Sequence, residues 1–346
     1  MHSMSNLVKC FIPNVTVYLE QEKLIDPFQR NGFRGEESFY GKKTGWERWV
    51  KPSPEPYPDI VLNNLLIKSL SLRSSLISGL HEELTLKIIE RIDPEKLLLV
   101  GILRAGLYVS IGLLRRLQWR GYNVPVVALA LFHEAGIDQI ALKSVMHDYP
   151  GKIPVFVDGW TGRGVVAMEL KQSVPEAILA TLIDPGHYGD LRATDIDSLV
   201  ESAHFTATET LGFSRAYITD PAKMWKAYKY PDSLYNEQLL SAWNHVFNSE
   251  PAVIHEIGKP QNLNELLIFL TNLSKSEPAD WKVNINEVVR SLVNRYPQEL
   301  IIGTTVQDAE YTIPTVLYSA RKREIPTKYI PEMRHEFNCL AAVRLR

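Results

Sequence analysis

The stretch Pro154-Val-Phe-Val-Asp158-Gly-Trp-Thr161-Gly162-Arg163-Gly164-Val-Val contains the clearest indication of the fold class. Its first part is a short apolar run that ends on an aspartate, which is typical of a buried strand. A turn with two glycines follows, and the chain then enters a helical pattern. A strand, a glycine turn and a helix in this order are typical of an α/β protein.

The same alternation continues on both sides of this stretch. Fully apolar runs predict strands that are buried on both faces, as in a parallel sheet covered by helices. The predicted strands are 97–102, 124–131, 153–157 and 178–183, and the predicted helices are 60–92, 108–119 and 165–174. We therefore predict an α/β domain around a parallel sheet.

Proline-rich breaks divide the chain. Alternating prolines in residues 51–58 exclude a helix and favour an extended connector. We expect an N-terminal arm over 1–58, an α/β domain over 59–250 and a small α/β/α unit over 258–346. The aromatic residues of 31–49 favour packing of the arm on a neighbouring surface, because they need burial.

The small C-terminal unit has its own alternation of elements. Its predicted helices are 263–273, 285–294 and 309–322, and its predicted strands are 299–303, 327–330 and 340–343.

Composition limits the class of protein. The chain has 346 residues and a net charge of −2, which excludes binding of nucleic acid by bulk positive charge but not by a local basic face. Its two cysteines, Cys10 and Cys339, form neither a disulfide framework nor a four-thiolate zinc site by themselves. No apolar run approaches the ~20 residues that cross a bilayer, and no signal peptide is visible. We expect a cytoplasmic protein without a membrane partner.

The turn after the 153–157 strand predicts a phosphate site. Gly162 and Gly164 allow backbone N–H groups to converge, Thr161 adds a hydroxyl, and the helix start adds positive potential. Arg163 completes this set of phosphate-binding candidates. Asp158, at the carboxyl edge of the sheet, is placed to hold ribose hydroxyls or Mg²⁺. The alternative is a plain tight turn in which Asp158 caps the helix.

A second strand–turn–helix junction lies at Leu103-Arg104-Ala105-Gly106. Arg104 should face the same cleft, and Ala105 and Gly106 are further phosphate-binding candidates. Two such loops suit a ligand with two separated phosphate groups. The pair resembles a phosphoribosyltransferase (type I), with 158–164 as the ribose 5-phosphate loop and 103–106 as the pyrophosphate loop. The resemblance implies Asp158 and Arg104 as catalytic residues and Mg²⁺ as cofactor.

Longer strings narrow the resemblance. Ile102-Leu-Arg-Ala-Gly106, Gly136-Ile-Asp138 and the 154–164 stretch together resemble a phosphoribosyltransferase-like family of bacterial tellurite-resistance and stress operons, also labelled StiP and cysteine protease. The resemblance covers roughly residues 60–220 and implies binding of phosphoribosyl pyrophosphate or a nucleotide. Neither cysteine lies in a strand-end loop of this domain, so the residues give no support to the protease label.

The loop after the 178–183 strand supplies weaker candidates. Asp184, His187 and Tyr188 follow this strand at the same edge of the sheet, and we expect them to face the base of the ligand. The alternative is an ordinary surface loop.

The C-terminal unit carries a different motif. Asn286-Glu287 followed by Arg290 resembles the Pelota-type RNA-binding fold. The resemblance implies that Asn286 and Glu287 read base edges and that Arg290 meets phosphate, with structured RNA as partner. The alternatives are that Asn286 and Glu287 simply begin a helix, and that the unit is a protein-docking or dimerisation element.

Together these patterns predict a phosphoribosyltransferase-like protein that transfers phosphoribose to or from a base in a stress-linked nucleoside pathway. Two alternatives remain open, a non-catalytic nucleotide sensor or RNA-binding regulator, and a nucleotide or nucleoside hydrolase that uses the same cleft. The acceptor base and the formation of a homodimer are left open as well.

Overall fold

The computed structural model describes residues 6–29, 33, 44–254 and 258–345, and every structural statement below refers to these residues. Much of the aromatic segment 31–49 of the predicted arm lies outside them. Of its described part, Gly45–Trp49 forms a 3₁₀ helix. Trp49 stacks on Phe132 with ring centroids 4.3 Å apart. This end of the arm is therefore packed on the α/β unit.

The first unit contains the predicted alternation of strands and helices. Its elements are β1 (Thr16–Val17), β2 (Glu20–Leu24), α1 (Ile60–Leu72), α2 (Ser74–Arg91), β3 (Leu97–Ile102), α3 (Ala105–Trp119), β4 (Val126–Leu129), β5 (Leu131–Phe132), β6 (Gly136–Ile137), α4 (Gln139–Asp148), β7 (Ile153–Trp160), α5 (Val165–Ser173), β8 (Ile178–Ile183), β9 (Leu191–Thr194), α6 (Ala207–Thr210), β10 (Lys226–Lys229) and α7 (Glu237–Val246).

A parallel sheet forms the centre of this unit. Its strand order is β1-β4-β3-β7-β8-β9, and every neighbouring pair is parallel. All six residues of β3 are buried, because helices cover both faces of the sheet. In a parallel sheet the carboxyl ends of neighbouring strands lie at one edge, so the loops after β3 and β7 are brought together.

The helical region predicted over 60–92 is two helices. The chain bends by 67° between α1 and α2. Within the described ranges, no single helix is long and apolar enough to cross a membrane, although the bent pair meets the length and composition test together.

The second unit is a smaller sheet with helices. Its elements are α8 (Leu263–Ser274), β11 (Trp281–Val283), α9 (Ile285–Asn294), β12 (Glu299–Ile302), α10 (Val306–Thr312), α11 (Pro314–Lys322), β13 (Thr327–Tyr329), α12 (Glu332–Phe337) and β14 (Ala341–Arg344). The strand order is β11-β14-β12-β13, with only β12 and β13 parallel among these pairs. The predicted fold class, a parallel α/β domain followed by a small α/β unit, is confirmed.

The helix predicted over 309–322 is divided by a proline. Pro314 is the first residue of α11, and α10 ends at Thr312. Proline has no N–H to donate to the preceding turn, so a helix begins at this residue more readily than it continues through it.

A buried carboxylate joins the two units. Asp197, in the segment after β9, is 1% exposed. Its carboxylate accepts hydrogen bonds from Ile285 N at the start of α9 (3.1 Å) and from Leu340 N just before β14 (2.6 Å). Burial raises the pKa of Asp197 to about 7, against the lowering effect of these backbone donors. The first turn of α9 is therefore fixed against the first unit.

Gly106 sets the distance between α3 and the central strand β7. A Cβ atom at this position would lie 1.8 Å from the carbonyl oxygen of Val157, which is backbone and has little freedom to move. Gly159, on β7 itself, offers a matched control, because its Cβ would lie 3.3 Å from the side chain of Ala105.

We expect Gly106→Ala to lower the free energy of unfolding by about 2–3 kcal/mol, because α3 must move away from β7. Gly159→Ala should change it by less than about 1 kcal/mol. Urea denaturation followed by circular dichroism measures both variants. Equal stability of the two variants would contradict this close contact between helix and strand.

Candidate functional site

A cavity of about 560 Å³ lies at the carboxyl ends of β3 and β7. Residues after these strands form its floor, and the second unit closes one side through Lys282, Glu287 and Arg290. Among the described residues that line it, seven are Arg or Lys and three are Asp or Glu. The cavity is therefore suited to an anionic ligand.

Asp158 lines this cavity from β7 and is 7% exposed. Its Oδ1 accepts a hydrogen bond from the following amide, Gly159 N, at 2.8 Å. Burial raises the pKa of Asp158 to about 7, and the negative charge of Glu287 adds to the increase. The carboxyl group thus lies where a ligand can meet it and changes protonation near neutral pH.

The glycine loop 161–164 joins β7 to α5. Gly162 and Gly164 have φ angles of 53° and 78°, the left-handed region that favours glycine. Within the described residues the amides of Gly162 and Arg163 have no acceptor, whereas Gly164 N donates to Thr161 O. Free amides beside the start of a nine-residue helix provide donors for an anion.

Two side chains of this loop have other partners than predicted. The hydroxyl of Thr161 donates to Asp184 Oδ1 at 2.6 Å, so its hydrogen is used within the fold. Arg163 donates to the carbonyl oxygen of Pro278 at 3.2 Å in the second unit. Both residues still line the cavity. The phosphate-binding capacity of the loop therefore depends on its backbone more than on these side chains.

The residues after β3 divide into two roles. Arg104 and Ala105 line the cavity. Arg104 Nη1 contacts Glu55 Oε1 at 2.6 Å. Burial lowers the pKa of Arg104, but the charge and hydrogen bond of Glu55 together with Tyr108 and Tyr230 raise it overall. Gly106, like Gly162 and Gly164, is not among the described residues that line the cavity. Gly106 makes the close contact with β7, and its phosphate-binding role stays a prediction.

The 184–188 loop, which was predicted to face the base, lies outside the cavity in this structure. Asp184 is fully buried and accepts hydrogen bonds from Tyr188 N (3.0 Å) and Gly189 N (2.7 Å) besides that from Thr161. The ring of Tyr188 covers Gly164, where a Cβ would lie 2.6 Å away. His187 lies 3.4 Å from Asp195. None of Asp184, His187 and Tyr188 is among the described residues that line the cavity, and Asp184 and Tyr188 contact the glycine loop from outside.

The predicted RNA-binding residues lie at the contact between the two units. Asn286 is fully buried, accepts a hydrogen bond from Val200 N and donates to Ser198 O, both at 2.8 Å. Glu287 accepts from Trp160 Nε1 at 2.8 Å. Arg290 donates to Ala203 O at 3.0 Å.

In this structure Asn286, Glu287 and Arg290 do not form an exposed surface for RNA. Their polar groups are directed to the first unit, where each side chain has a partner in the protein, although Nη2 of Arg290 has none. Glu287 and Arg290 also line the cavity, so the second unit contributes to the candidate site.

An aromatic stack that the sequence did not single out forms another wall. Phe132 lies between Trp49 and Trp225, with ring centroids 4.3 and 5.0 Å apart and nearly parallel planes. Trp49 and Phe132 line the cavity. Glu55 and Arg215 were also missed, because the first lies in the proline-rich connector and the second in no motif.

Fold and site together define an α/β protein with a cationic, glycine-loop cleft closed by a second unit. A family model described as "Tellurite-like stress resistance cysteine protease StiP" matches residues 51–239. The chain belongs to this family.

Individual relatives match shorter regions. A cysteine protease StiP of Acinetobacter baylyi is 32% identical over 80 residues, which are 23% of this chain and 21% of that protein. The chain thus spans about a fifth of the length of this curated relative.

Solved structures with similarity to the chain include phosphoribosyltransferases. A hypoxanthine phosphoribosyltransferase of Trypanosoma cruzi in complex with IMP is 12% identical, with a TM-score of 0.27, over 34% of this chain and 74% of that chain. A hypoxanthine-guanine phosphoribosyltransferase of Bacillus anthracis is 12% identical, with a TM-score of 0.24, over 41% of this chain and 83% of that chain.

Proposed function

We propose that the cavity binds phosphoribosyl pyrophosphate or a nucleotide and that the protein transfers phosphoribose to or from a base. The observation that carries this proposal is the pairing, in one cavity, of the glycine loop at the start of α5 with the carboxyl group of Asp158. A phosphate on the loop and hydroxyls at the carboxylate correspond to the two ends of a ribose 5-phosphate.

The proposed reaction is a displacement at C1 of the ribose. A nitrogen of the base forms a bond to C1 while the C1–O bond to pyrophosphate breaks, and pyrophosphate leaves with the electron pair of that bond. The amides of Gly162 and Arg163 hold the 5-phosphate, Asp158 holds the ribose hydroxyls, and Arg104 neutralises charge on the leaving group. The protein thus acts mainly by position and electrostatics.

Magnesium fits this proposal through Asp158. Within the described residues no group of three or more His, Cys, Asp or Glu side chains is arranged to hold a metal ion. Mg²⁺ is commonly bound by one or two carboxylates together with substrate phosphates, so Asp158 would hold it only when the ligand supplies further oxygens. When bound there, the ion would neutralise charge on the pyrophosphate.

The aromatic stack is the proposed contact for the base. Both ring faces of Phe132 are covered by Trp49 and Trp225, so Trp49, which lines the cavity at the end of the stack, is the proposed stacking partner. Base–aromatic stacking tolerates different bases. Trp49 replaces the 184–188 loop in this role. Because stacking is not specific, the identity of the base depends on groups beyond these rings.

Thiol proteolysis, the activity in the name of the matched relative, has no support from the cysteines of this chain. Neither Cys10 nor Cys339 lines the cavity. Burial raises the pKa of the Cys10 thiol to about 12 and that of the Cys339 thiol well above its ordinary value. A nucleophilic cysteine needs the opposite change, a lowered pKa.

A negative charge at the first residue of α5 tests whether the glycine loop binds phosphate. Val165 is half-buried, lines the cavity and is the first residue of α5. Val165→Asp should leave the fold intact, because an acidic residue suits a helix start, but it should repel a phosphate. We expect calorimetry to show binding of ribose 5-phosphate at least about tenfold weaker in Val165→Asp.

Val165→Asn is the matched control, since it has the same size without the charge. It should bind ribose 5-phosphate within about threefold of the wild type. Equal affinity of Val165→Asp and Val165→Asn would remove the start of α5 from the phosphate site.

Asp158→Asn tests the transfer reaction. Because burial already raises the pKa of Asp158 to about 7, the fold does not depend on its charge, and the variant should melt within a few degrees of the wild type. We expect consumption of phosphoribosyl pyrophosphate, assayed as pyrophosphate release with a panel of bases, to fall at least about 100-fold.

The exposed Asp93, at the opposite end of β3, gives the control variant Asp93→Asn, which should keep full activity. Full activity of Asp158→Asn would contradict the role of this residue. A wild-type protein that binds the donor but consumes it with no base would favour the sensor alternative over transfer.

A further inference from the structure

The cavity holds more positive charge than its sugar-phosphate end requires. Arg104, Arg215 and Arg290 all line it, and they come from three separate regions of the sequence. Burial, together with the charges of Arg104 and Arg215, lowers the pKa of Arg290 to about 9. Burial and the charge of Arg104 lower the pKa of Arg215 to about 10. The three guanidinium groups thus line one cavity, and the charges of Arg104 and Arg215 disfavour the charged form of Arg290.

Their partners do not balance this charge. Arg215 makes no ion pair or side-chain hydrogen bond within the part of the chain that the structure describes. Arg290 donates Nη1 to the carbonyl oxygens of Ala203 and Phe205, while its Nη2 is buried without a partner. Neutral carbonyls orient Arg290 but leave its charge uncompensated. The three arginines are half-buried. A guanidinium charge that is partly withdrawn from water without a counter-ion costs free energy, so such a group indicates a site for an anion.

Glu55 is the one carboxylate paired with this group in the described structure. It lies in the proline-rich connector, is 6% exposed and contacts Arg104 at 2.6 Å, while its second oxygen, Oε2, is buried without a partner. One carboxylate facing three guanidiniums leaves the group positively charged. A bound dianion would compensate the remainder and compete with Glu55 for Arg104.

We infer that Arg104, Arg215 and Arg290 form a diphosphate-binding site shared by the two units, which Glu55 partly occupies when no ligand is bound. This inference rests on the proposed function for the assignment of the adjoining sugar-phosphate site. It gives the second unit a role that the RNA motif did not predict, since Arg290 serves the ligand of the first unit. Guanidinium groups suit this ligand because they donate two hydrogen bonds at once to phosphate oxygens.

The test uses inorganic pyrophosphate alone, titrated calorimetrically into the full chain at fixed ionic strength. Arg215→Gln removes a charge without breaking a side-chain hydrogen bond in the described structure, and it should weaken pyrophosphate binding at least about tenfold. Arg290→Lys keeps a cation at the contact between the units but loses the paired N–H donors of the guanidinium group. It should therefore weaken pyrophosphate binding as well. Arg91→Gln, at the exposed end of α2, is the matched control and should bind as the wild type does.

Glu55→Gln provides a result of opposite sign. If Glu55 competes with the ligand, removal of its charge should strengthen pyrophosphate binding by about threefold or more. A purely structural role of Glu55 would give weaker binding or none. Weaker pyrophosphate binding in Glu55→Gln, or unchanged binding in both Arg215→Gln and Arg290→Lys, would overturn the inference.

Ribose 5-phosphate separates this inference from the proposed function. Arg215→Gln should bind ribose 5-phosphate as tightly as the wild type, because that ligand lacks the diphosphate. A wild-type protein that binds ribose 5-phosphate but not pyrophosphate would overturn the diphosphate site and leave the sugar-phosphate site intact. A wild-type protein that binds pyrophosphate but not ribose 5-phosphate would overturn the sugar-phosphate site and leave the diphosphate site intact.

Discussion

The buried carboxylate of Asp197 determines where the second unit lies. By accepting hydrogen bonds from Ile285 N and Leu340 N, it fixes two elements of that unit, the start of α9 and the chain entering β14, against the segment that follows β9. Loss of this acceptor would leave buried N–H groups unsatisfied, at a cost of about 1–3 kcal/mol for each group. Because α9 begins at this anchor, the next turns of the helix carry Glu287 and Arg290 to the cavity.

Because the second unit packs against the first at this point, residues of both units line the cavity. Gly162 shows how close the contact is, since a Cβ there would lie 2.8 Å from the side chain of Glu287. The glycine loop thus combines a left-handed backbone with a close approach of the second unit. The negative charge of Glu287 also contributes to the raised pKa of Asp158. The chemistry at the end of β7 therefore depends on residues about 130 positions away in sequence.

The sequence predicted the sheet well and the site in part. Strands such as Leu97–Ile102 and Ile178–Ile183 were predicted with their observed bounds, because buried strands of a parallel sheet are continuously apolar. Asp158 and Arg104 were predicted to lie at strand ends and do line the cavity. The partners of Asn286 and Arg290 were not predictable, because a polar helix start has the same pattern whether RNA or protein covers it. Arg215 belongs to no motif, so only tertiary packing reveals it.

If the cavity is shared, one ligand contacts both units. Hydrogen–deuterium exchange of the full chain with and without phosphoribosyl pyrophosphate measures protection of both units in one sample. We predict slower exchange both in peptides that contain the 161–167 loop and in peptides that contain residues 284–292 of the second unit. Protection confined to the first unit, with 284–292 unchanged at saturating ligand, would contradict a shared cavity.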